Sequence, residues 1–324
     1  MMLQDIGFLE VVESRAASMS PGKISYCEWI ITSKCNFACP YCNRLEPRGV
    51  QDPGLDQIHE FCGILAAMDC RYVHLTGGEP TVRRDLVEIV RIIRDHGMRV
   101  GISTNGSRAT DQYLGLVDAG VELFSISLDT HDRAQNPQFA GVKNVFDQVV
   151  ENIRVLATKC YVSTGVVFND HNINQYREIL EFISALGVRD IRVGTDTRYN
   201  QVVRFDLPES LLSRHPILRF RVNNFNQGLN MRGSALATTG RCHLVRDDLT
   251  IFGRDYYPCA VYAREKGRPI GQFGPGNVQE RADWFSQHDS HEDSICKKFC
   301  MDFKCRFNDR VEHYEKENKN EKPV

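Results

Sequence analysis

Three cysteines stand within eight residues in CNFACPYC: Cys35, Cys39 and Cys42, spaced C-x3-C-x2-C. Thiolates this close together can wrap one face of an iron–sulfur cube. A cube has four irons, so three local ligands leave one iron open to a substrate or cosubstrate. A structural zinc site wants four ligands, and the nearest downstream histidine, His59, is not beside the loop. On spacing alone a zinc knuckle stays open. A second group, Cys242, Cys259, Cys296, Cys300 and Cys305, occupies the last quarter of the chain. Cys242 precedes a hairpin pattern, DLTIF-GRD-YYPC, whose return brings Cys259 back toward it. The knot Cys296-x3-Cys300-x4-Cys305 can supply the remaining ligands of a second cluster or of a four-cysteine zinc site. Four ligands close either site, so one of the last three cysteines is spare or labile. His243, His288 and His291 read as surface or packing residues. Cys27, Cys62, Cys70 and Cys160 read as small core residues.

The elements that must position the first group alternate in type. Short β-rich runs at 27–32, 72–75, 99–104, 121–128, 160–168 and 189–195 are separated by helical patterns at 55–69, 85–95, 111–119, 142–157 and 174–186. The first helix has apolar residues at Leu55, Ile58, Phe61, Cys62 and Leu65, and the second at Leu86, Ile89, Val90 and Ile93. Strand–helix alternation without hairpin signals predicts parallel pairing through crossovers. Sheets of this kind place ligand sites at the carboxyl ends of their strands. Cys35, Gly77–Glu79, Thr104–Asn105, Ser127–Asp129 and Thr195–Asp196 all fall there. The expected division is an extension at 1–26, a barrel at 27–196, a helical connector at 197–241, a cysteine-bearing domain at 242–310 and a charged tail at 311–324.

Composition bounds the rest. With 324 residues, 42% hydrophobic and 25% charged, the chain can bury a large core and is not wholly disordered. A net charge of −2 argues against a generic nucleic-acid partner. No apolar run is long enough to span a membrane, and the first residues, with Asp5 and no basic start, do not read as a secretory signal. A cytoplasmic chain keeps its thiols reduced. Twelve cysteines also fall well short of the roughly 8–10% of disulfide scaffolds, so metal is the expected use.

In combination, these motifs resemble the radical S-adenosylmethionine (SAM) enzymes. The resemblance rests on C-x3-C-x2-C after the first strand with Tyr41 before the third cysteine, on Thr76-Gly77-Gly78-Glu79-Pro80, on Ser103-Thr104-Asn105-Gly106, and on Ser125-Ile126-Ser127-Leu128-Asp129. It implies an α/β fold, a partial (β/α)6 TIM-like barrel, with a 4Fe-4S cluster whose open iron chelates SAM. It further implies SAM contacts from Tyr41, Gly77, Gly78, Glu79, Ser103, Asn105, Ser127, Asp129 and Val193. The glycines are expected to let the backbone approach the cosubstrate, the Glu79 carboxylate to meet its ammonium, and Ser127 its carboxylate. Val193 lies where the family packs the adenine. The second cysteine group resembles the SPASM and twitch extensions, which implies an auxiliary 4Fe-4S cluster, and an electron donor such as flavodoxin or ferredoxin.

The resemblance implies hydrogen abstraction from an unactivated C–H bond. The outcome is expected to be oxidation, epimerisation or a related rearrangement, hence an oxidoreductase. Only residues 1–26 precede the first strand, where peptide-modifying relatives often carry a leader-binding domain. A small polar substrate, sugar- or nucleoside-like, is therefore expected. The alternatives are modification of a peptide side chain and a zinc-stabilised scaffold without catalysis. Asp196 and Arg198, just past the sixth strand, are the expected substrate contacts. The arginines of 197–241 can bind a carboxylate or phosphate at the barrel mouth.

Overall fold

The computed structural model describes residues 19, 22–43, 45, 49–197, 199, 201, 203–228 and 232–319. Arg198 therefore lies outside the described residues, as does most of the 1–26 extension. Six strands come first: β1 (Tyr26–Thr32), β2 (Tyr72–Gly77), β3 (Arg99–Thr104), β4 (Val121–Ser127), β5 (Tyr161–Phe168) and β6 (Asp190–Thr195). Each pairs in parallel with the next. The helices between them are α1 (Leu55–Ala67), α2 (Leu86–Asp95), α3 (Thr110–Asp118), α4 (Asn136–Ala140), α5 (Phe146–Ala157) and α6 (Tyr176–Ala185).

Alternation along the strands divides two faces. On β3, Val100 and Ile102 enter the apolar core beneath the helices, while Gly101 and Ser103 turn the other way. The helices present the expected stripes, Ile58, Phe61, Cys62 and Leu65 from α1 and Leu86, Ile89, Val90 and Ile93 from α2. Burying a side chain such as Phe61 contributes about 1.5–3 kcal/mol. Leu55 departs from expectation. As the first residue of α1 it stands at the solvent-facing start of the helix and is 36% exposed.

The second half holds α7 (Glu209–Leu212), α8 (Pro216–Asn226), β7 (Asp248–Phe252), β8 (Asp255–Tyr257), α9 (Ala260–Arg264) and β9 (Gly271–Gln272), then α10 (Asn277–Gln287), α11 (Ser294–Phe299) and α12 (Asp302–Lys319). The predicted hairpin is β7–β8, which is antiparallel. The expected separate cysteine domain is corrected in one respect. Its first strand, β7, pairs in parallel with β1, making one sheet in the order β6-β5-β4-β3-β2-β1-β7-β8-β9. The sheet is open, as a partial barrel requires.

The boundary expected at 310/311 falls within α12. Val311 is fully buried there with Leu244 and Phe307, so the hydrophobic period continues past the point where charge dominates the sequence. Among the described residues no helix is long and apolar enough to cross a membrane.

Candidate metal and cosubstrate site

Parallel pairing brings the strand tips of β1 to β4 to one edge, where the loop with Cys35, Cys39 and Cys42 crosses them. The loop is held by backbone hydrogen bonds from both sides. Gly78 donates to Thr32 O at 2.9 Å and Glu79 to Lys34 O at 2.8 Å, while Ala38 donates to Ala140 O at 3.0 Å. A Cβ on Gly77 would lie 2.3 Å from Thr32 O, and one on Gly78 2.2 Å from Lys34 O. These glycines are thus required by a close approach to the cysteine loop itself. Gly141, at φ 68°, likewise presses on Ala38 O from behind.

All three cysteines line one cleft with Ser33, Phe37, Gly77 and Gly78. Burial pushes the Cys39 thiol up to about 12, with the Asp129 carboxylate adding to it. A metal ion reverses that logic by binding the thiolate. Three thiols converging on one apolar-walled cleft fit a cluster held on three corners, with the cleft side open.

Several residues expected at the cosubstrate are already engaged as braces. Glu79 is 1% exposed, and its Oε1 accepts from Thr81 N, Thr81 Oγ1 and Thr104 Oγ1, its Oε2 from Asn105 N. Burial raises its pKa against those four donors. Asn105 donates from Nδ2 to Asn36 Oδ1 at 2.9 Å, pinning the cysteine loop. Asp129 accepts from the Tyr41 hydroxyl and, at 2.7 Å, from Val167 N, and burial pushes its carboxyl up to about 6. Ser103 meets His74 Nε2 at 2.7 Å on the inner face. The Val193 side chain lies in the core, and the neighbouring Gly194 faces open space. Ser127 ends β4 exposed and, among the described residues, without a side-chain hydrogen bond.

The second cysteine group converges beside this edge. Cys242 begins the short turn before β7, Cys259 begins α9, Cys296 lies in α11, Cys300 ends it, and Cys305 is in α12. Burial raises Cys242 to about 12, with Cys259 and Cys300 adding to it. Burial likewise raises Cys296, with Cys242, Asp293, Cys300 and Cys259 adding. Cys305 is the most buried of the five, and its Sγ lies 3.6 Å from Cys300 Sγ. Of the four expected core cysteines, Cys27, Cys62 and Cys70 are buried, while Cys160, in the turn between α5 and β5, is partly buried against the core.

A cleft joins the two regions. The cysteine loop contributes Tyr41, Cys42 and Asn43, the end of β6 and the chain beyond it Thr195, Asp196 and Tyr199, and the second half Arg232, Glu265, Lys297 and Lys298. Asp196 thus lines this cleft. Arg232 does as well, donating to Thr195 O at 3.0 Å. Arg221 and Arg219 instead pair with Asp302 and Glu209, and Arg241 binds carbonyls of α10. Sequence reasoning missed Lys297 and Lys298, although they sit between two candidate ligand cysteines. It also missed Arg264, which donates to Thr76 Oγ1 and Gly77 O at 3.2 Å each. His243, expected as a packing or surface residue, is buried and meets Glu312 at 2.8 Å.

Residues 29–183 match the family described as the Radical SAM superfamily. The chain is 37% identical over 158 residues to a probable GTP 3',8-cyclase of Pyrococcus abyssi, covering 47% of this chain and 50% of that one. It is 31% identical over 179 residues to a GTP 3',8-cyclase of Campylobacter fetus subsp. fetus, covering 51% and 54%. The chain spans about half the length of the curated relatives it matches. Among solved structures it shares its fold with Streptococcus suis SuiB bound to precursor peptide SuiA, at TM-score 0.58 and 17% identity over 82% of this chain and 65% of that chain. It also shares it with native anSMEcpe with bound AdoMet, at TM-score 0.59 and 12% identity over 91% and 97%.

Proposed function

We propose, for a chain whose residues 29–183 belong to the radical SAM superfamily, that the protein acts on a small polar substrate carrying an anionic group, of the nucleotide or sugar-phosphate kind. The observation that carries this reading is the cleft lined by Arg232, Lys298, Asp196 and Cys42. Guanidinium and ammonium groups there can hold a phosphate or carboxylate, and Asp196 can accept from a hydroxyl. The names of the curated relatives, GTP 3',8-cyclases, support a nucleotide within this class.

Cys35, Cys39 and Cys42 would hold three irons of the first cluster, with Ser127 free to meet the cosubstrate. With cluster and SAM bound, the site supplies a 5′-deoxyadenosyl radical able to take hydrogen from an unactivated C–H bond. Phe37 and Leu45 wall the cluster cleft and exclude water. The proposed auxiliary ligands are Cys242, Cys259, Cys296 and Cys300. Thiolates on different corners of a cube diverge, so Cys300 and Cys305, in contact, are not both ligands. Cys300 is the one near Cys242 and Cys296, while Cys305 turns to Gly233 O, so Cys305 is the spare.

Anaerobic reconstitution of the full chain is expected to give about eight irons, for two four-iron clusters. Reduction should release 5′-deoxyadenosine from SAM, faster with a nucleotide present. Arg232→Ala and Lys298→Ala should raise the KM for that nucleotide. Stimulation by peptides instead would favour the peptide reading, and tight zinc with no SAM cleavage would sink both. Cys305→Ser should keep all its iron, whereas Cys242→Ser should not.

A further inference from the structure

His288 directly follows α10, and its ring is held by two aromatic neighbours and its backbone by one hydrogen bond. It stacks on Trp284 at 3.9 Å between centroids and 16° between planes, and meets Tyr262 edge-on at 6.1 Å. Its backbone amide donates to Trp284 O at 2.9 Å. So held, its Nε2 lies 3.7 Å from Cys296 Sγ. Ligand-type atoms of His288, Asp293 and Cys296 all fall within 4.8 Å of one another, which raises a mononuclear metal as one explanation. Asp293 argues against it. Its Oδ1 caps α11 by accepting from Ile295 N at 2.9 Å and Cys296 N at 2.8 Å, and its Oδ2 accepts from Tyr262 Oη at 2.9 Å. The carboxylate therefore aligns Cys296 and the aromatic wall, leaving the imidazole aimed at a single sulfur.

We propose that His288 donates its Nε2–H to the Cys296 thiolate of the auxiliary cluster and raises that cluster's reduction potential. This rests on the reading of Cys296 as a ligand. A hydrogen bond to a ligand sulfur draws off electron density and stabilises the reduced cluster, whose negative charge is greater. His288 is a positioning residue for electron transfer; it does not touch the substrate. A higher potential suits the auxiliary cluster to take an electron from a substrate-derived radical, the cluster being reduced as the substrate is oxidised.

The test uses the full chain with Cys35, Cys39 and Cys42 replaced by Ala, so that one cluster of about four irons remains. Cys296→Ser should lose that iron; if it does not, the ligand reading fails and the proposal falls with it, whereas iron loss here with an unchanged potential in His288→Phe would overturn the role of His288 alone. Against this background His288→Phe should keep the iron and favour the oxidised cluster about tenfold, which is 59 mV for a one-electron couple. His288→Gln, which keeps an N–H donor, should recover part of that difference. Iron loss in a folded His288→Phe chain would make His288 a ligand and overturn the proposal, as would an unchanged potential. If His288→Phe does not fold, pulsed electron paramagnetic resonance on the 15N-histidine-labelled chain with His288 intact decides. A weak nitrogen coupling to the reduced cluster supports the hydrogen bond; a strong coupling or none overturns it.

Discussion

The Glu79 carboxylate accepts the backbone amide of Asn105 at 2.6 Å, so the tip of β2 holds the tip of β3. Glu79→Gln places an amide NH2 against a donor already there, on whichever side the new side chain turns. Each orphaned buried donor costs about 1–3 kcal/mol. The variant should lose stability by that order in chemical denaturation and bind SAM more weakly in calorimetry. Equal SAM affinity in variant and wild type would count against the bracing role.

Gly78 bears on the cysteine loop more directly. Gly78→Ala drives a Cβ into Lys34 O and should cost the reconstituted chain about four irons, with the auxiliary cluster retained. Gly63→Ala is the control. Gly63 lies on the exposed side of α1 with nothing within 4 Å of its Cβ position, so alanine should stabilise the chain by about 0.5–1 kcal/mol. Iron counts and melting curves read both.

His74 gives a pH dependence. Burial, with the Arg192 guanidinium adding, lowers its pKa from 6.5 to about 3. The folded chain keeps the imidazole neutral, while the unfolded chain protonates it below 6.5. This contribution is complete above pH 6.5 and is lost as pH falls from there toward 3, to at most about 5 kcal/mol. His74→Gln should flatten the stability profile across that window. A profile as steep as the wild type would assign the acid sensitivity elsewhere.

Arg221 and Asp302 form a buried ion pair between α8 and α12, joined by Asn224 Nδ2 at 2.9 Å from Asp302. Asp302→Ala strands a buried guanidinium, which costs about 3–5 kcal/mol. Urea denaturation of the iron-free chain should register the loss. Arg221→Met with Asp302→Leu should restore most of it.

The strands and their parallel pairing were legible because period-2 runs, helical stripes and turn signals are local. The cysteine loop was legible for the same reason, since its three cysteines lie within eight residues. What the sequence hid is set by crossings between distant segments. That Glu79 faces Thr104 and Asn105 depends on register between strands, and that Val193 points into the core depends on which face β6 presents. Lys297 and Lys298 reach the cleft because α11 docks on the barrel mouth, which no spacing encodes. The pairing of β7 with β1 was hidden too, because more than 200 residues separate them and either edge could have been left bare.

That pairing has a consequence for dissecting the protein. β7 covers the backbone of β1 from Tyr26 to Ile30, and β1 carries the fully buried Cys27 and Trp29. A chain cut after residue 241 would present those amides and carbonyls as an uncovered apolar edge, open to pairing with a second copy. The cysteine-rich half is thus also a guard against self-association. A shortened chain would report aggregation before it reported anything about the cysteine site.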